Sequence, residues 1–242
     1  MIELPSLAGG ADRLWHSLLD VTEHMADDWT LIGGQMVLLH ALGAGRVAPR
    51  VSEDLDLVVN ARTHPPALPK MVETLRSLGF ELTGVSPDGV ARRFDLDGVY
   101  IDILAPDGLD RHSELVTASP GVTIAAAGGT YALSESSPVE VSYEDRTGQV
   151  PLPSIAGALV VKAGAARTDH GPKGPERHLR DLAFLASLVD DAIDLRNHLG
   201  ARNRLRLRAV IALADEGHEA WVLLGDERDD AYATWTLLAG LT

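Results

Sequence analysis

The feature of this sequence that most constrains its fold is a pair of aspartates within an otherwise apolar run. The run reads Ser52-Glu-Asp54-Leu-Asp56-Leu-Val-Val59. Because residues i and i+2 of a β-strand point to the same face, Asp54 and Asp56 are expected to lie side by side. Two adjacent carboxylates in an apolar strand are costly unless a cation lies close to both. The pattern therefore predicts a strand whose first residues carry a cation site.

A glycine turn precedes this strand in the chain. The apolar run Trp29-Thr-Leu-Ile32 stops at Gly33-Gly34, and the apolar segment 35–42 that follows is compatible with a helix. This order predicts a strand, a tight turn and a helix. Backbone N–H groups at the start of a helix attract phosphate, so we expect Gly33 and Gly34 to bind it. Ser52 lies on the same strand face as the two aspartates, so its hydroxyl is expected to bind phosphate together with the two glycines. The alternative is that Ser52 only ends the loop before the strand.

A third carboxylate interrupts a later apolar run. Asp102 lies within Val99-Tyr-Ile-Asp102-Ile-Leu104, where a lone aspartate is costly unless it is paired or binds a metal. Together, Asp54, Asp56 and Asp102 are predicted to hold two Mg²⁺ (or Mn²⁺) ions, which take oxygen ligands and complete their shells with substrate phosphates. The chain has no cysteine, which excludes a thiolate metal site and a cysteine nucleophile.

The pattern of apolar residues divides the 242-residue chain into an α/β part, residues 1–150, and a helical part, residues 151–242, with a boundary near 149–153. Asp97-Gly98 is predicted to be a hairpin turn. The predicted strands are 29–32, 55–59, 80–83, 90–96, 99–104 and, in an otherwise ambiguous segment, 139–143. The predicted helices are 11–27, 35–42, 66–78, 155–167, 176–188, 195–216 and 229–241, with a polar loop over 168–175.

The charge is distributed unevenly along the chain. The net charge is −14, but residues 151–214 hold 10 Lys and Arg against 6 Asp and Glu. This basic segment either contacts a nucleic-acid backbone or is a solvated surface with salt bridges. The same two interpretations apply to the alternating arginines at 202, 204, 206 and 208. The longest uncharged stretch, 115–134, contains proline and several glycines and is a poor membrane span. We expect a cytoplasmic protein without membrane contact.

With its Gly-Gly turn, intervening helix and Asp-x-Asp strand, the chain resembles the nucleotidyltransferase superfamily related to DNA polymerase β. Within that superfamily it resembles the AbiEii-like and MenT-like toxins of toxin–antitoxin systems. Two motifs of the helical half carry this finer resemblance, Lys162-Ala-Gly-Ala-Ala-Arg167 and His178-Leu-Arg180-Asp181. The resemblance covers roughly residues 28–190. It implies an α/β (α+β) nucleotidyltransferase core with a mixed sheet, followed by a C-terminal helical domain.

The resemblance also implies an activity. A nucleoside monophosphate would pass from an NTP to an acceptor hydroxyl, most plausibly the 3′ end of tRNA, with a toxic outcome controlled by an antitoxin protein. Asp102 would complete the metal site or act as base, Lys162 would neutralise the triphosphate, Arg167 would contact the nucleotide, and Asp181 would be catalytic. From the residues alone, Lys162 could instead reach the surface, and Asp181 could simply serve the first turn of a helix.

Two alternative functions stay open. A small cationic acceptor such as an aminoglycoside would suit the acidic first 150 residues, which carry 22 Asp and Glu against 10 Lys and Arg. A catalytically silent protein that binds a nucleotide or a partner is the other alternative. Three aspartates in apolar strands argue against it, because a silent site has no reason to keep such costly charges.

Overall fold

The computed structural model describes residues 1–6, 12–50, 52–109, 115–118, 121–169 and 174–241. In this part of the chain the strands are β1 (Ile2–Glu3), β2 (Trp29–Ile32), β3 (Asp54–Val59), β4 (Glu81–Leu82), β5 (Arg93–Leu96), β6 (Val99–Pro106), β7 (Val116–Ala118), β8 (Gly121–Val122), β9 (Ala125–Ala126), β10 (Ser136–Tyr143) and β11 (Arg146–Pro153). The helices are α1 (Arg13–His24), α2 (Gly33–Gly43), α3 (Ala67–Ser77), α4 (Gly129–Ser134), α5 (Ile155–Thr168), α6 (Glu176–Ser187), α7 (Ala192–His198), α8 (Ala201–Arg208), α9 (Glu219–Val222) and α10 (Arg228–Ala239).

The central sheet is mixed, as the sequence predicts. Its strand order is β2-β3-β6-β5-β4, with β9 added beside β6. β3 and β6 are parallel, whereas β2 and β5 run antiparallel to their neighbours. The register places Asp56 between Ile32 on β2 and Asp102 on β6, and it pairs Asp102 with Arg93 on β5. The residues that carry the predicted chemistry therefore meet on adjacent strands.

A second sheet, in the order β1-β10-β11, lies beside the first. β10 and β11 form a hairpin, and β1 pairs with β10 in parallel. The predicted strand 139–143 is confirmed as part of this hairpin. The other strands between residues 106 and 150 are not indicated by the sequence pattern. The hydroxyl of Thr30, on β2, donates to the carbonyl of Pro151 at 3.1 Å and so connects the two sheets.

The helical half begins directly after β11. Ser154 caps α5, accepting a hydrogen bond from the N–H of Gly157, and residues 156–164 of this helix are all buried. A helix that is apolar on all sides belongs in a core, and α5 lies between the α/β half and α6. Among the described residues, no helix is both long and apolar enough to cross a membrane.

Some predicted boundaries are wrong. Residues 195–216, within which one helix is predicted, form the second part of α7, then α8 and a 3₁₀ turn, Ile211–Ala214. Leu199 and Gly200 between α7 and α8 are extended, and glycine has a low helix propensity, so the chain turns there. The predicted strand over 90–96 is shorter, because β5 starts at Arg93. Residues 170–173 of the predicted loop lie outside the described residues.

The two halves meet in a contact of backbone on backbone. A Cβ on Gly164 of α5 would overlap the carbonyl oxygen of Ala127. Gly128, with φ of +91°, lies against the next turn of α5, where a Cβ would be 2.9 Å from the Val160 oxygen. Glycine is therefore required at both positions by close approach, and at Gly128 also by the left-handed backbone.

We expect Gly164→Ala to lower the free energy of unfolding by about 1–3 kcal/mol, because overpacking outweighs the gain in helix propensity. Gly200→Ala is the matched control: a Cβ at this position meets no heavy atom within 4 Å. Urea denaturation of both variants tests the contact. Equal stability of Gly164→Ala and the wild-type protein would show that α5 and the 125–129 segment do not meet as described.

Candidate functional site

A cleft of about 460 Å³ lies between the central sheet and the helices α5 and α6. It is lined by both signs of charge. Carboxylates come from the sheet side and from the end of α5, and cations come from β5, α5, α6 and the segment before β3. The charged lining residues are Arg50, Asp54, Asp56, Arg92, Arg93, Asp102, Lys162, Asp169 and Arg177.

The glycine turn lies directly against the aspartate strand. A Cβ on Gly33, which has φ of +75°, would overlap Oδ2 of Asp56. A Cβ on Gly34 would be 2.5 Å from the Ser52 hydroxyl oxygen. Any larger residue would push the start of α2 away from the carboxylates. The structure thus brings together the predicted phosphate-binding and metal-binding residues of the α/β half.

Asp54 and Asp56 differ in their surroundings. Asp54 accepts a hydrogen bond from the Ser52 hydroxyl at 2.8 Å. Asp56 is half-buried, and no hydrogen bond or ion pair to its carboxylate is formed by the described residues. Burial, with the nearby charges of Asp54 and Asp102, raises the pKa of Asp56 to about 6. The charges of Lys162 and Arg177 oppose this rise without reversing it, so the negative charge of Asp56 is only partly offset by the protein.

Asp102 is buried and paired. Arg93 donates from Nε to Oδ1 at 2.8 Å and from Nη2 to Oδ2 at 2.9 Å. Nη2 of Arg93 also reaches Oδ2 of Asp54, at 3.2 Å. The hydrogen bonds and charge of Asp102 raise the pKa of Arg93, so the guanidinium is always charged. To act as metal ligand or base, as the sequence predicts, Asp102 would have to use the remaining lone pairs of two oxygens that are already bound to a guanidinium.

The donor set fits one hard cation better than two. Carboxylate oxygens suit Mg²⁺, and such an ion would be stabilised at Asp56, which lies beside Asp54 and has no cation bound directly to it among the described residues. In the described part of the chain, no three His, Asp or Glu side chains are arranged to hold a metal ion. At Asp102, both oxygens accept hydrogen bonds from Arg93. Asp54 and Asp56 are therefore the residues that could hold the ion.

The opposite wall carries a buried ion network. Lys162 donates from Nζ to Oδ2 of Asp181 at 2.7 Å, and both side chains are almost fully buried. Arg50 binds the same carboxylate with two hydrogen bonds, at 3.0 and 2.8 Å. Burial lowers the pKa of Lys162, and Asp181 opposes that shift. Asp181 is behind the cleft wall and holds two cations of the lining in place.

A smaller cluster lies at the ends of α5 and α6. Asp169 accepts hydrogen bonds from Arg177, at 2.8 Å, and from Nε2 of His178, at 3.0 Å. Burial is the main cause that lowers the pKa of His178, to about 4, and the charge of Lys162 adds to it. The imidazole is therefore neutral at pH 7. Asp169 and Arg177 were not indicated by any sequence pattern, and Arg93 was missed as well.

The remaining basic residues lie elsewhere. Arg167 is exposed near the end of α5 and is not part of the cleft lining, so its contact with nucleotide stays a prediction. Of the alternating arginines, Arg204 donates to the carbonyl of Leu199 at 2.9 Å, and Arg206 forms an ion pair with Asp107. These two side chains serve the fold. Arg202 and Arg208 are exposed.

We expect Asp181→Asn to lower the free energy of unfolding by about 3–5 kcal/mol, because Lys162 is then buried without a counter-charge. The double variant Lys162→Met/Asp181→Leu should recover most of this loss, since no buried charge remains on either residue. Urea denaturation measures both. A double variant less stable than the single one would contradict this account of the network.

The unfolding free energy should also depend on His178 at acid pH. The pKa of His178 is lower in the folded protein than in the unfolded chain, so the unfolded chain takes up the proton first as the pH is lowered. The free energy of unfolding therefore decreases as the pH is lowered from about 6.5 to about 4. From pH 7 to 5 the wild-type protein should lose about 2 kcal/mol more than His178→Gln. An equal loss in both proteins would contradict the assignment. The charged groups around the imidazole are Lys162, Asp169, Arg177 and Asp181.

Comparison with known proteins shows similarity at the level of structure. No family model and no curated protein matches the sequence. A nucleotidyltransferase-like protein from Paracoccidioides brasiliensis, described as antigenic, matches with a TM-score of 0.54 and 15% identity over 96% of this chain and 95% of that one. ANT(2″)-Ia in complex with adenylyl-2″-tobramycin matches with a TM-score of 0.43 and 15% identity over 84% and 98%. The first of these similarities shows that this chain has a nucleotidyltransferase-like fold.

Proposed function

We propose that this protein is a nucleotidyltransferase that uses an NTP and a divalent cation. The observation that carries the proposal is the cleft itself, in which a glycine turn, two aspartates and a set of anchored cations face one space. A triphosphate needs close backbone approach, a metal ion and fixed positive charge, and these elements supply all three. The nucleotidyltransferase-like fold is consistent with this activity.

Each part of the cleft has a distinct task in this proposal. Gly33, Gly34 and Ser52 would receive the phosphates at the start of α2. Asp54 and Asp56 would hold Mg²⁺ or Mn²⁺, which neutralises phosphate oxygens and polarises the α-phosphate. Lys162 would offset the charge that develops on the leaving pyrophosphate, and Asp181 would keep its ammonium and Arg50 in position.

The reaction joins the acceptor to the α-phosphorus. The acceptor oxygen forms a bond with the α-phosphorus as the bond to the bridging oxygen of the β-phosphate breaks. The proton of the acceptor hydroxyl passes to solvent water, and pyrophosphate leaves with the electron pair of the broken bond. The cleft fixes the phosphate chain from two sides. The entropy that the reactants must lose to reach the reacting geometry is therefore largely lost when the substrate binds, which lowers the barrier of the chemical step.

For the acceptor, we propose the 3′ end of an RNA, with tRNA as the first candidate, in a toxin that an antitoxin protein controls. The resemblance of the Lys162 and Asp181 motifs to the toxin branch supports this choice. A small cationic acceptor such as an aminoglycoside is the second candidate. It is favoured by the use of Arg204 and Arg206 within the fold, which reduces the basic surface left for an RNA backbone.

The activity is tested by incubating the protein with Mg²⁺, each labelled NTP and either total RNA or an aminoglycoside panel. Label in RNA or in an aminoglycoside identifies the acceptor. Binding of an NTP without transfer to either one would favour the catalytically silent alternative and contradict the proposed activity.

In the same assay, Asp54→Asn and Asp56→Asn should each lower transfer by at least about 10³-fold, because a lost metal ligand removes several kcal/mol of transition-state stabilisation. Asp88→Asn is the matched control, since Asp88 is exposed and does not line the cleft. Circular dichroism should show that all three variants are folded. Near wild-type transfer by a folded Asp56→Asn would contradict the metal assignment.

A further inference from the structure

Arg93 donates a hydrogen bond to each oxygen of Asp102, and Nε of Arg92 lies 3.8 Å from Oδ2 of the same carboxylate. The two residues are direct cross-strand partners in the β5-β6 hairpin, so their side chains leave the same face of the sheet. Asp102 is 3% exposed, whereas 39% of the Arg93 side chain is exposed to the cleft and solvent. A buried carboxylate that loses its counter-ion is costly, so the pair resists separation.

The same guanidinium also approaches the metal-binding strand. Its Nη2 donates to Oδ2 of Asp54 at 3.2 Å, and its carbon lies 5.1 Å from the ring centre of Tyr100. The positive charge of Arg93 therefore lies between Asp54 and Asp102. This is the position that a second metal ion shared by these two carboxylates would need.

Arg93 retains donors for a substrate. Nε and Nη2 are occupied by the two carboxylates, but Nη1 forms no hydrogen bond with any described residue. Arg93 lines the cleft, and a guanidinium presents its N–H groups in a planar fork that suits phosphate oxygens. Two N–H donors of a fixed, permanently charged group are thus available beside the metal-binding aspartates.

We propose that Arg93 supplies the second positive charge of the reaction, that Asp102 is a positioning residue for Arg93, and that one divalent cation, held by Asp54 and Asp56, acts with it. This inference rests on the proposed nucleotidyl transfer and specifies how the chain performs it. The second cation is covalently part of the protein, so it does not depend on the concentration of free metal ion.

The metal stoichiometry tests the inference without any turnover. Mn²⁺ binding is counted by electron paramagnetic resonance in the presence of the α,β-methylene analogue of each NTP, which cannot be cleaved between the α- and β-phosphates. We expect one Mn²⁺ per chain in the wild-type protein, one in Asp102→Asn and none in Asp54→Asn. Arg76→Ala, which removes an exposed arginine of α3 outside the cleft lining, should also retain one ion.

Two results would overturn the inference. One is two spin-coupled Mn²⁺ ions in the wild-type protein, and the other is a loss of Mn²⁺ from Asp102→Asn as complete as that from Asp54→Asn. If Asp102→Asn does not fold, the double variant Arg93→Met/Asp102→Leu replaces both charges at once and should still bind one ion. Absence of Mn²⁺ from the wild-type protein would contradict the proposed function as well, whereas two ions with full transfer would contradict this inference alone.

A double-mutant cycle on kcat separates positioning from direct catalysis. If Asp102 acts only through Arg93, Arg93→Met should lower kcat by at least about 10²-fold, and adding Asp102→Leu should lower it no further. Arg93→Lys should retain part of the rate, because it keeps the charge but not the planar fork. Losses that multiply in the double variant would mean that Asp102 is itself a ligand or a base.

Discussion

The carboxylate of Asp181 is buried between the two halves of the chain, and it accepts hydrogen bonds from Lys162 of α5 and from Arg50 of the segment before β3. Without it, two cations would lie close together in a region of low dielectric constant. Burial disfavours the charged forms of Lys162 and Asp181, whereas their mutual attraction and hydrogen bonds favour those forms. The same contact fastens α6 to the α/β half. One buried anion therefore both joins the halves and positions the positive wall of the cleft.

Local patterns predict the part of the site that comes from neighbouring residues. The period of two places Asp54 and Asp56 on one face, and the Gly33-Gly34 turn marks the junction with α2. The pairing of Arg93 with Asp102 was within reach too. Counting back from the predicted Asp97-Gly98 hairpin turn pairs Leu96 with Val99 and, three residues further back, Arg93 with Asp102.

The contacts that the sequence could not reveal are those across the fold. Arg50 and Asp181 are 131 residues apart, and no local period relates them. The break between α7 and α8 has a different cause. The apolar spacing continues through Gly200, and the interruption depends on the cost of glycine within a helix and on how each short helix packs. Apolar periodicity alone does not determine where a helix ends.

The net charge of a segment proves a poor measure of its surface. Residues 151–214 are basic by composition, yet Lys162 and Arg177 are paired with aspartates in or beside the cleft, and Arg206 is paired with Asp107 outside it. Arg180 pairs with Glu219 of α9. Four of the ten basic residues of this segment thus have ion-pair partners among the described residues, so the charge left to attract a polyanion from a distance is smaller than the composition suggests.

The contact of Gly164 with Ala127 has a consequence for how this cleft chooses its contents. Backbone touches backbone there, and no side chain lies between that could change rotamer and let the walls separate. This rigid contact therefore fixes the distance between the two walls of the cleft. A molecule that is too wide for this gap cannot enter it, even where its charge complements that of the walls. A change of preferred substrate would then arise from substitutions in the side chains that line the gap, while the frame around them stays the same.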